Sequence, residues 1–243
     1  MSWRKDRRGA ERGYHHGNLK EALLQAALDL IAEKGPAGFT FADAARSAGV
    51  SPAAPYRHFR DRDELLSSIA QRGFELFETV LTKAWDDGRP DTVTAFERVG
   101  RAYLDFARSE PAFYSAMFES GVPIDVNPTL MVASERAFNI IRAAAERLAA
   151  LAPPGVARPP AMMMALHIWS MSHGVASLFA RGDSARPKLP MSPDELLEAG
   201  VLIYLRGLGF PTDQRPPADA TAALRTPPGP PGPPPGPWGN PPK

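Results

Sequence analysis

The sequence contains no cysteine, which excludes disulfides, thiolate metal ligands and cysteine nucleophiles. It also lacks any run of about 18 apolar residues, the length that a membrane-spanning helix needs. The N-terminal residues MSWRKDRRGAERGYHH are charged where a signal peptide would have an apolar core. We therefore expect a soluble, cytoplasmic protein that does not engage a membrane.

Long alternations of Val, Ile and Thr, which are typical of β-strands, are missing as well. Ala, Leu, Arg and Glu instead recur at helical spacing, which predicts an all-α fold. Capping residues and breaks at Gly and Pro divide the chain into about nine helices. The predicted helices cover residues 18–34, 41–48, a short stretch from 52, 61–87, 91–108, 110–119, 128–151, 160–181 and 193–207.

Formal charge is close to zero over the whole chain but uneven along it. Residues 1–72 contain 12 Lys and Arg against 9 Asp and Glu, whereas the remainder contains 16 against 18. The excess lies mostly in the first 16 residues. A basic N-terminal part joined to a neutral or acidic one is compatible with binding an anionic polymer, although basic arms are often only solubilising.

The C-terminal segment differs in composition from everything before it. Residues 211–243 hold 13 of the 27 prolines and end in PPGPPGPPPGPWGNPPK. Such a segment cannot bury a core and is predicted to be a disordered, partly polyproline-II tail. The predicted organisation is a flexible basic arm over 1–16, a first domain over 17–65, a second domain over 66–210 and the tail over 211–243.

The stretch VSPAAPYRHF carries two prolines three residues apart. Two short helices joined by the turn at 48–51 match a helix-turn-helix, in which glycine permits the sharp turn. With Ser51 as N-cap, Pro52 falls at the first helical position, where its missing N–H is not needed. Pro55 removes the first intrahelical hydrogen bond and pushes Ala54 away from helical angles. We therefore expect a short helix with a tightened or irregular first turn.

The start of the second helix of this motif would enter the major groove of DNA. Its first residues are small, so the backbone can approach base edges, and their methyl and ring carbons can contact thymine methyl groups. Arg57 is the best candidate for bidentate hydrogen bonds to guanine, while Tyr56 and His58 suit phosphate oxygens. In the competing interpretation Tyr56 packs in the core and the charges are ordinary surface. The candidate DNA contacts of this segment are Ser51, Pro52, Ala53, Tyr56, Arg57 and His58.

Five short motifs occur at the spacing of one known family: Phe39-Thr40, Ala45, Ala48-Gly49-Val50-Ser51, Tyr56-Arg57-His58-Phe59 and Arg62-Asp63-Glu64-Leu65-Leu66. With them, residues 17–66 resemble the DNA-binding domain of the tetracycline-repressor (TetR) family of bacterial transcriptional regulators. The resemblance implies that Thr40 and Tyr56 bind phosphates and that Arg62, where the family usually has Lys, contacts the DNA backbone. Ala44 and Pro55 depart from the family pattern, which usually has a bulky aliphatic residue and often Leu there.

A second motif lies in the C-terminal half, where Trp169 is followed four residues later by His173-Gly174. It is similar to the Trp…His-Gly motif of one C-terminal domain type of TetR regulators, whose C-terminal domains bind a small effector and form the dimer. Trp169 and His173 share one helical face, and an aromatic wall with one polar group suits a dry pocket. Rows of aromatic residues at this spacing more often belong to an ordinary hydrophobic core. The sequence does not identify the effector, which we expect to be an apolar or aromatic molecule. The candidate effector contacts are Trp169, His173, Tyr103, Phe106, Phe113 and Met117.

Dimerisation is expected to use the last two helices, near 160–181 and 193–207. Small residues there allow two helices to approach closely, and apolar residues supply the contact. A two-fold dimer implies a pseudopalindromic operator with half-sites about one turn or more apart. The candidate interface residues are Gly174, Leu178, Leu197, Val201 and Tyr204.

The sequence offers little for a metal, a cofactor or catalysis. His15 and His16 are adjacent, and neither HExxH nor GxSxG occurs, so no metal site or cofactor is expected. The predicted function is a DNA-binding transcriptional regulator, a homodimeric repressor released from a palindromic double-stranded operator by a small-molecule effector. Two alternatives stay open: a constitutive DNA-binding dimer without effector, and a small hydrolytic enzyme that uses His173.

Overall fold

The computed structural model of the protein describes residues 19–125, 127–153, 155, 158–179 and 190–210. The predictions for the basic arm, for Asn18 as a cap and for the Pro-rich tail lie outside these residues. The described part is all-helical, as predicted, and contains no helix long and apolar enough to cross a membrane. Its α-helices are α1 (Leu19–Lys34), α2 (Phe41–Ser47), α3 (Arg62–Trp85), α4 (Thr92–Ser109), α5 (Pro111–Phe118), α6 (Pro128–Leu151), α7 (Ala161–Phe179) and α8 (Pro193–Gly207).

The segment after Ser51 is the main departure from the predicted helices, and it reduces nine α-helices to eight in the described residues. The chain makes a turn, closed by Ala54 N–H donating to the Ser51 carbonyl at 3.0 Å, and then a single 3-10 turn over Pro55–Arg57. The imide nitrogen of Pro55 cannot donate to Ser51, so the first turn does not continue as an α-helix. Pro55, and not Pro52, occupies a first helical position, where no donor is needed. Ala54 keeps helical angles (φ −64°, ψ −40°), contrary to the expectation for a residue before proline.

Capping residues set the boundaries of the other helices near the N-terminus. The Thr40 hydroxyl accepts from the Asp43 backbone N–H at 3.1 Å and caps α2, and Asp61 caps α3 in the same manner. Gly35 and Gly49 follow α1 and α2 with φ values of +76° and +71°, which only glycine adopts readily. The caps at Thr40 and Asp61 thus lie on either side of the helix-turn-helix segment.

Two hydrophobic cores lie along the chain. The first is built from α1, α2, Phe59 and the start of α3, and the second from the rest of α3 together with α4 to α8. Helix α3 serves both, because Leu65 and Ile69 are in the first core while Phe77 and Leu81 are in the second. The predicted domain boundary at residue 65 therefore falls inside one continuous helix.

Helix α5 also lies between the two cores. Ala116 belongs to the first core, Met117 to the second, and Phe113 packs against both. On α3, Gly73 faces Met117 so closely that an added Cβ would lie 2.7 Å from the Met117 Sδ atom. Helices α3 and α5 thus join the head, which we define as residues 19–61, to the helical body formed by α3–α8.

Candidate functional site

The helix-turn-helix segment presents its polar side chains to solvent. Pro55 and Phe59 are buried in the head and hold the segment in place. The Tyr56 ring packs edge-on against Phe41, with centroids 5.0 Å apart, yet 63% of Tyr56 stays exposed. The segment therefore has a fixed inner side and an open outer side. The predicted DNA contacts on the exposed side are Ser51, Pro52, Ala53, Tyr56, Arg57 and His58.

Two further predicted DNA contacts already have partners within the chain. Thr40 donates its backbone N–H and its hydroxyl to the Asp43 carboxylate, at 2.9 and 2.7 Å. Arg62 donates from Nε to the Phe39 carbonyl at 2.9 Å and from Nη2 to the Pro36 carbonyl. Its guanidinium carbon lies 4.9 Å from the centroid of the Phe39 ring, and 26% of its side chain is exposed. Arg62 thus fastens the loop between α1 and α2 to the start of α3.

Two basic residues that the sequence analysis passed over extend this surface. Arg46 on α2 has a side chain that is 77% exposed, and Arg60, just before α3, one that is 85% exposed. Each is held by one carboxylate, Arg46 by Asp43 at 2.9 Å and Arg60 by Glu64 at 3.1 Å. Their positions on either side of the turn motif in the sequence were the available signal.

A cavity of about 270 Å³ lies in the helical body between α3, α5, α6 and α7, and we call it the aromatic cavity. The exposed residues Ile124 and Glu135 mark its opening, and Ile141 closes its inner end. Apolar walls with few polar groups are typical of small-molecule sites. Half of its lining residues are aromatic: Phe74, Phe77, Phe118, Phe138 and Trp169.

His173 stands next to this wall within a cluster of polar and aromatic side chains. Its ring stacks on Trp169 at a centroid distance of 5.5 Å and meets Phe118 edge-on at 5.0 Å. Its Nδ1 atom lies 2.9 Å from the Tyr114 hydroxyl and 3.1 Å from the Tyr103 hydroxyl. Nδ1 of a neutral ring has either one proton or one lone pair, so it makes one full hydrogen bond with these two phenols.

Burial determines the charge of this cluster. Burial lowers the pKa of His173, and the nearby Glu119 carboxylate opposes that shift only in part. Burial also raises the pKa of Tyr103 and of Tyr114. All three side chains are therefore uncharged near neutral pH, and the cluster can give or accept hydrogen bonds without presenting a charge.

The predicted effector contacts divide between the cavity and the core. Trp169 lines the aromatic cavity, and His173 contacts two of its wall residues. Tyr103, Phe106 and Met117 are almost fully buried, and Phe113 packs between the two cores. Phe74 and Phe77 of the wall were missed, because their spacing on α3 is that of ordinary core residues.

The predicted dimer residues likewise fall into two groups. Leu197 and Val201 are 4% and 6% exposed within the chain itself, which leaves them no surface for a second copy. The physical reason is that this face of α8 packs against α4 and α7. Tyr204 is half-buried, with its hydroxyl 3.2 Å from Nδ1 of His167. Gly174 and Leu178 are exposed, and they continue a row at four-residue intervals on α7 that reads Met162, Leu166, Ser170, Gly174 and Leu178.

No group of three or more His, Asp or Glu side chains suited to a metal ion occurs in the residues that the structure describes. The fold presents three features at different places in the chain: an exposed basic turn, an apolar cavity and an exposed row of mostly apolar residues on α7.

Two family models match the chain: one spans the basic turn, and the other spans the row on α7 and most residues of the aromatic cavity. Residues 23–69 match the bacterial regulatory proteins of the tetR family, and residues 96–204 match the tetracyclin repressor-like C-terminal domain. Together they cover well over half of the 243 residues. The chain belongs to the TetR family of transcriptional regulators, a class of helix-turn-helix proteins that control transcription.

Individual relatives agree with this assignment. An HTH-type transcriptional repressor of Mycobacterium tuberculosis (strain H37Rv) is 34% identical over 82 residues, which are 33% of this chain and 42% of that protein. A protein of unknown function from Rhodococcus sp. RHA1 has a structure that is 28% identical, with a TM-score of 0.66 over 82% of this chain and all of its own. AibR, solved in complex with isovaleryl coenzyme A and operator DNA, shares the fold at 17% identity, with a TM-score of 0.58 over 76% of this chain and 97% of its own.

Proposed function

We propose that the protein is a homodimeric repressor, that it binds a palindromic operator through the head, and that a small apolar or aromatic effector releases it. The observation that carries the proposal is the pairing of an exposed basic turn with an aromatic cavity through α5. The family assignment supports regulation of transcription. The repressor of M. tuberculosis, which is 34% identical over 82 residues, supports the repressor role.

Within the head, Arg57 is the residue we assign to base recognition. Its exposed guanidinium can form two parallel hydrogen bonds to guanine, while Tyr56 and His58 can donate to phosphates. Ser51, Pro52 and Ala53 would lie closest to the base edges. Thr40 and Arg62 would support these contacts from inside the head, where the Asp43 carboxylate and the 36–39 loop hold them. The exposed Arg46 and Arg60 would add contacts to the DNA backbone.

The effector would occupy the aromatic cavity, and α5 would carry its effect to the head. Phe118 at the end of α5 lines the cavity, and Tyr114 of the same helix hydrogen-bonds His173. One turn away, Phe113 and Ala116 pack against the head. A molecule that displaces Phe118 would therefore shift α5, against which the head packs. Displacement of Trp169 would reach α5 through His173 and Tyr114. The effector lowers operator affinity by the ratio of its own affinities for the two arrangements.

AibR supports this combination of partners, because a chain of the same fold was solved with both a small molecule and operator DNA. The second copy in our proposal would contact the exposed row on α7. Its two central members, Ser170 and Gly174, are small enough for close helix approach, and Leu166 and Leu178 would supply apolar area. Ile203 on α8, which is 67% exposed, would extend the interface.

The test is a gel-shift titration of the purified protein against the DNA upstream of its own gene and against a scrambled fragment of equal length. We expect preferential binding to the upstream DNA, with affinity falling at least about tenfold when salt is raised from roughly 50 to 200 mM. A thermal-shift screen would then find the effector as a compound that raises the melting temperature and weakens DNA binding. Equal binding to both fragments would overturn the repressor, and specific binding with no effector response would indicate a constitutive dimer.

A further inference from the structure

A second, narrower cavity lies on the far side of Ile141 from the aromatic cavity. Its volume is about 30 Å³, close to the share of one water molecule in the liquid. Apolar side chains of α4, α7 and α8 form most of its wall, among them Phe96, Val99, Leu104, Ile168 and Val201, and four charged residues also line it: Glu97, Arg101, Asp194 and Glu198. We call it the inner cavity.

The two cavities are separated by a partition one side chain thick. Ile141, which is 3% exposed, lines both of them. Beside it, Phe77 of the aromatic cavity and Tyr103 of the inner cavity meet edge-on with centroids 5.0 Å apart. On α7, the neighbours Ile168 and Trp169 face the inner and the aromatic cavity respectively. Ile141 is therefore the one lining residue that the two cavities share.

We propose that the two cavities are compartments of one effector site, that Ile141 is the gate between them, and that the effector has an unbranched apolar arm ending in the inner cavity. This proposal rests on the effector role of the aromatic cavity. An arm is required because a ring is too large for the inner cavity, whereas a chain end fits a space of that size. An apolar arm is required because five aliphatic and aromatic side chains dominate the wall.

The energetics allow the gate to open. Each methylene moved from water into an apolar site raises affinity about fourfold. Holding Ile141 away from its preferred rotamer lowers affinity about tenfold at most. One carbon in the opened gate and one in the inner cavity together raise affinity about sixteenfold, which exceeds the cost of opening the gate, so binding should distinguish chains by length at this residue.

The experiment measures the affinity of the primary alkanols from butanol to decanol by isothermal titration calorimetry. It uses the full chain and its Ile141→Phe, Ile141→Ala and Ile140→Phe variants. Ile140 is the next residue of α6, is half-buried and lines neither cavity, so its variant controls for adding a ring to this helix. The larger side chain at 141 has the aromatic cavity beside it, which limits overpacking. If Ile141→Phe does not fold, Ile168→Phe fills the inner cavity from the other side.

We expect affinity for the unmodified chain to rise about fourfold per methylene, over about two methylenes, beyond the length at which it stops rising for Ile141→Phe. Ile168→Phe, which lines the inner cavity alone, should bind short alkanols like the unmodified chain and lose only the gain from the last carbons. Ile140→Phe should follow the unmodified chain, and Ile141→Ala should keep the full length range. A plateau at the same chain length in the unmodified protein and in Ile141→Phe would overturn the gate. If no alkanol binds the unmodified chain, the apolar effector site fails as well, while gel shifts on the same samples still report whether operator binding stands.

Discussion

Arg62 illustrates how one side chain can hold a whole loop in place. Its guanidinium donates to the carbonyls of Phe39 and Pro36 and covers the Phe39 ring, from the first residue of α3. These bonds come from a charged donor that is largely shielded from water, so their loss leaves two carbonyls short of partners.

We predict that Arg62→Ala lowers the free energy of unfolding by about 2 kcal/mol, measured by urea denaturation. Arg60→Ala is the matched control, because Arg60 is a neighbouring arginine that is almost fully exposed. Its effect should stay within about 0.5 kcal/mol. Equal effects of the two substitutions would show that the bonds of Arg62 to the loop do not stabilise the head.

His173 gives the body a pH-dependent stability. Its pKa is lowered by burial from an ordinary value of 6.5, so the unfolded chain binds a proton more readily than the folded one. The sign follows from linkage: the contribution to stability is fully present above pH 6.5 and is lost as the pH falls from 6.5 through the lowered pKa of the folded state.

We therefore expect the free energy of unfolding to drop as the pH is lowered from about 7.5 to about 5, a range that contains the ordinary His pKa of 6.5 and extends further on its acid side. His173→Gln should flatten that drop. The measurement is a series of denaturation curves across this range. An unchanged slope in His173→Gln would contradict the assignment.

Local sequence predicted the position and role of some residues but not of others. Tyr56, Arg57 and His58 were predicted to face outward because a turn motif fixes their position relative to buried neighbours, and the structure exposes all three. The inward bonds of Arg62 were not predictable, since its partners lie 23 and 26 residues earlier in the chain. Only the folded loop brings them together.

At the scale of elements, the contact between α3 and α5 connects the body to the head. Gly73 leaves room for the Met117 side chain, and a Cβ at this position would crowd the sulfur. Alanine favours a helix over glycine by about 1 kcal/mol, so crowding and helix propensity act in opposite directions here.

A double-mutant cycle separates the two effects. Gly73→Ala in the unmodified chain should be destabilising or neutral, because Met117 must move. In a Met117→Ala background the same change should stabilise by up to about 1 kcal/mol, since the obstruction is gone. Thermal or urea unfolding of the four proteins is the measurement. Additive effects would mean that the two helices do not press on each other at this point.

The helices themselves were largely predictable, because caps and breaks are local. Thr40, Asp61, Gly35 and Gly49 end or begin helices where the sequence indicated. The 3-10 turn at Pro55 was not predictable. A proline can form the irregular first turn of one helix or separate two turns, and the packing of its ring determines which of these occurs. For α8 the apolar face was evident, but the sequence could not tell whether a neighbouring helix or a second copy covers it.

At the scale of the whole molecule, the exposed row on α7 and Ile203 on α8 offer the surface for a second copy. A carboxylate placed in an apolar interface must be desolvated on association, which weakens binding strongly. We predict that the Leu166→Glu and Ile203→Glu variants each raise the dimer dissociation constant by about tenfold or more. Light scattering with size-exclusion chromatography measures this.

The control is Leu76→Glu, an apolar residue of α3 that is 44% exposed and outside the row. It should leave the dimer intact. Operator binding should weaken together with dimerisation, because two heads read two half-sites. A monomeric unmodified chain at micromolar concentration would contradict the proposed assembly.

The whole fold class followed from composition and spacing, and the described residues are all-helical as expected. The cavities did not follow, because they arise where side chains from four or more helices fail to fill the space between them. The basic arm and the Pro-rich tail lie outside the described residues, so our expectations for them stay predictions.

The most direct measurement is the ratio of affinities for operator and scrambled DNA, determined by fluorescence anisotropy for the unmodified chain, Arg57→Ala and Arg60→Ala. If the exposed side of the turn reads bases, Arg57→Ala lowers this ratio about tenfold. Arg60→Ala should weaken both DNAs alike and reduce the salt dependence by about one ion. An unchanged ratio in Arg57→Ala would contradict base recognition by Arg57. Equal affinity of the unmodified chain for both DNAs would contradict sequence-specific binding by the head.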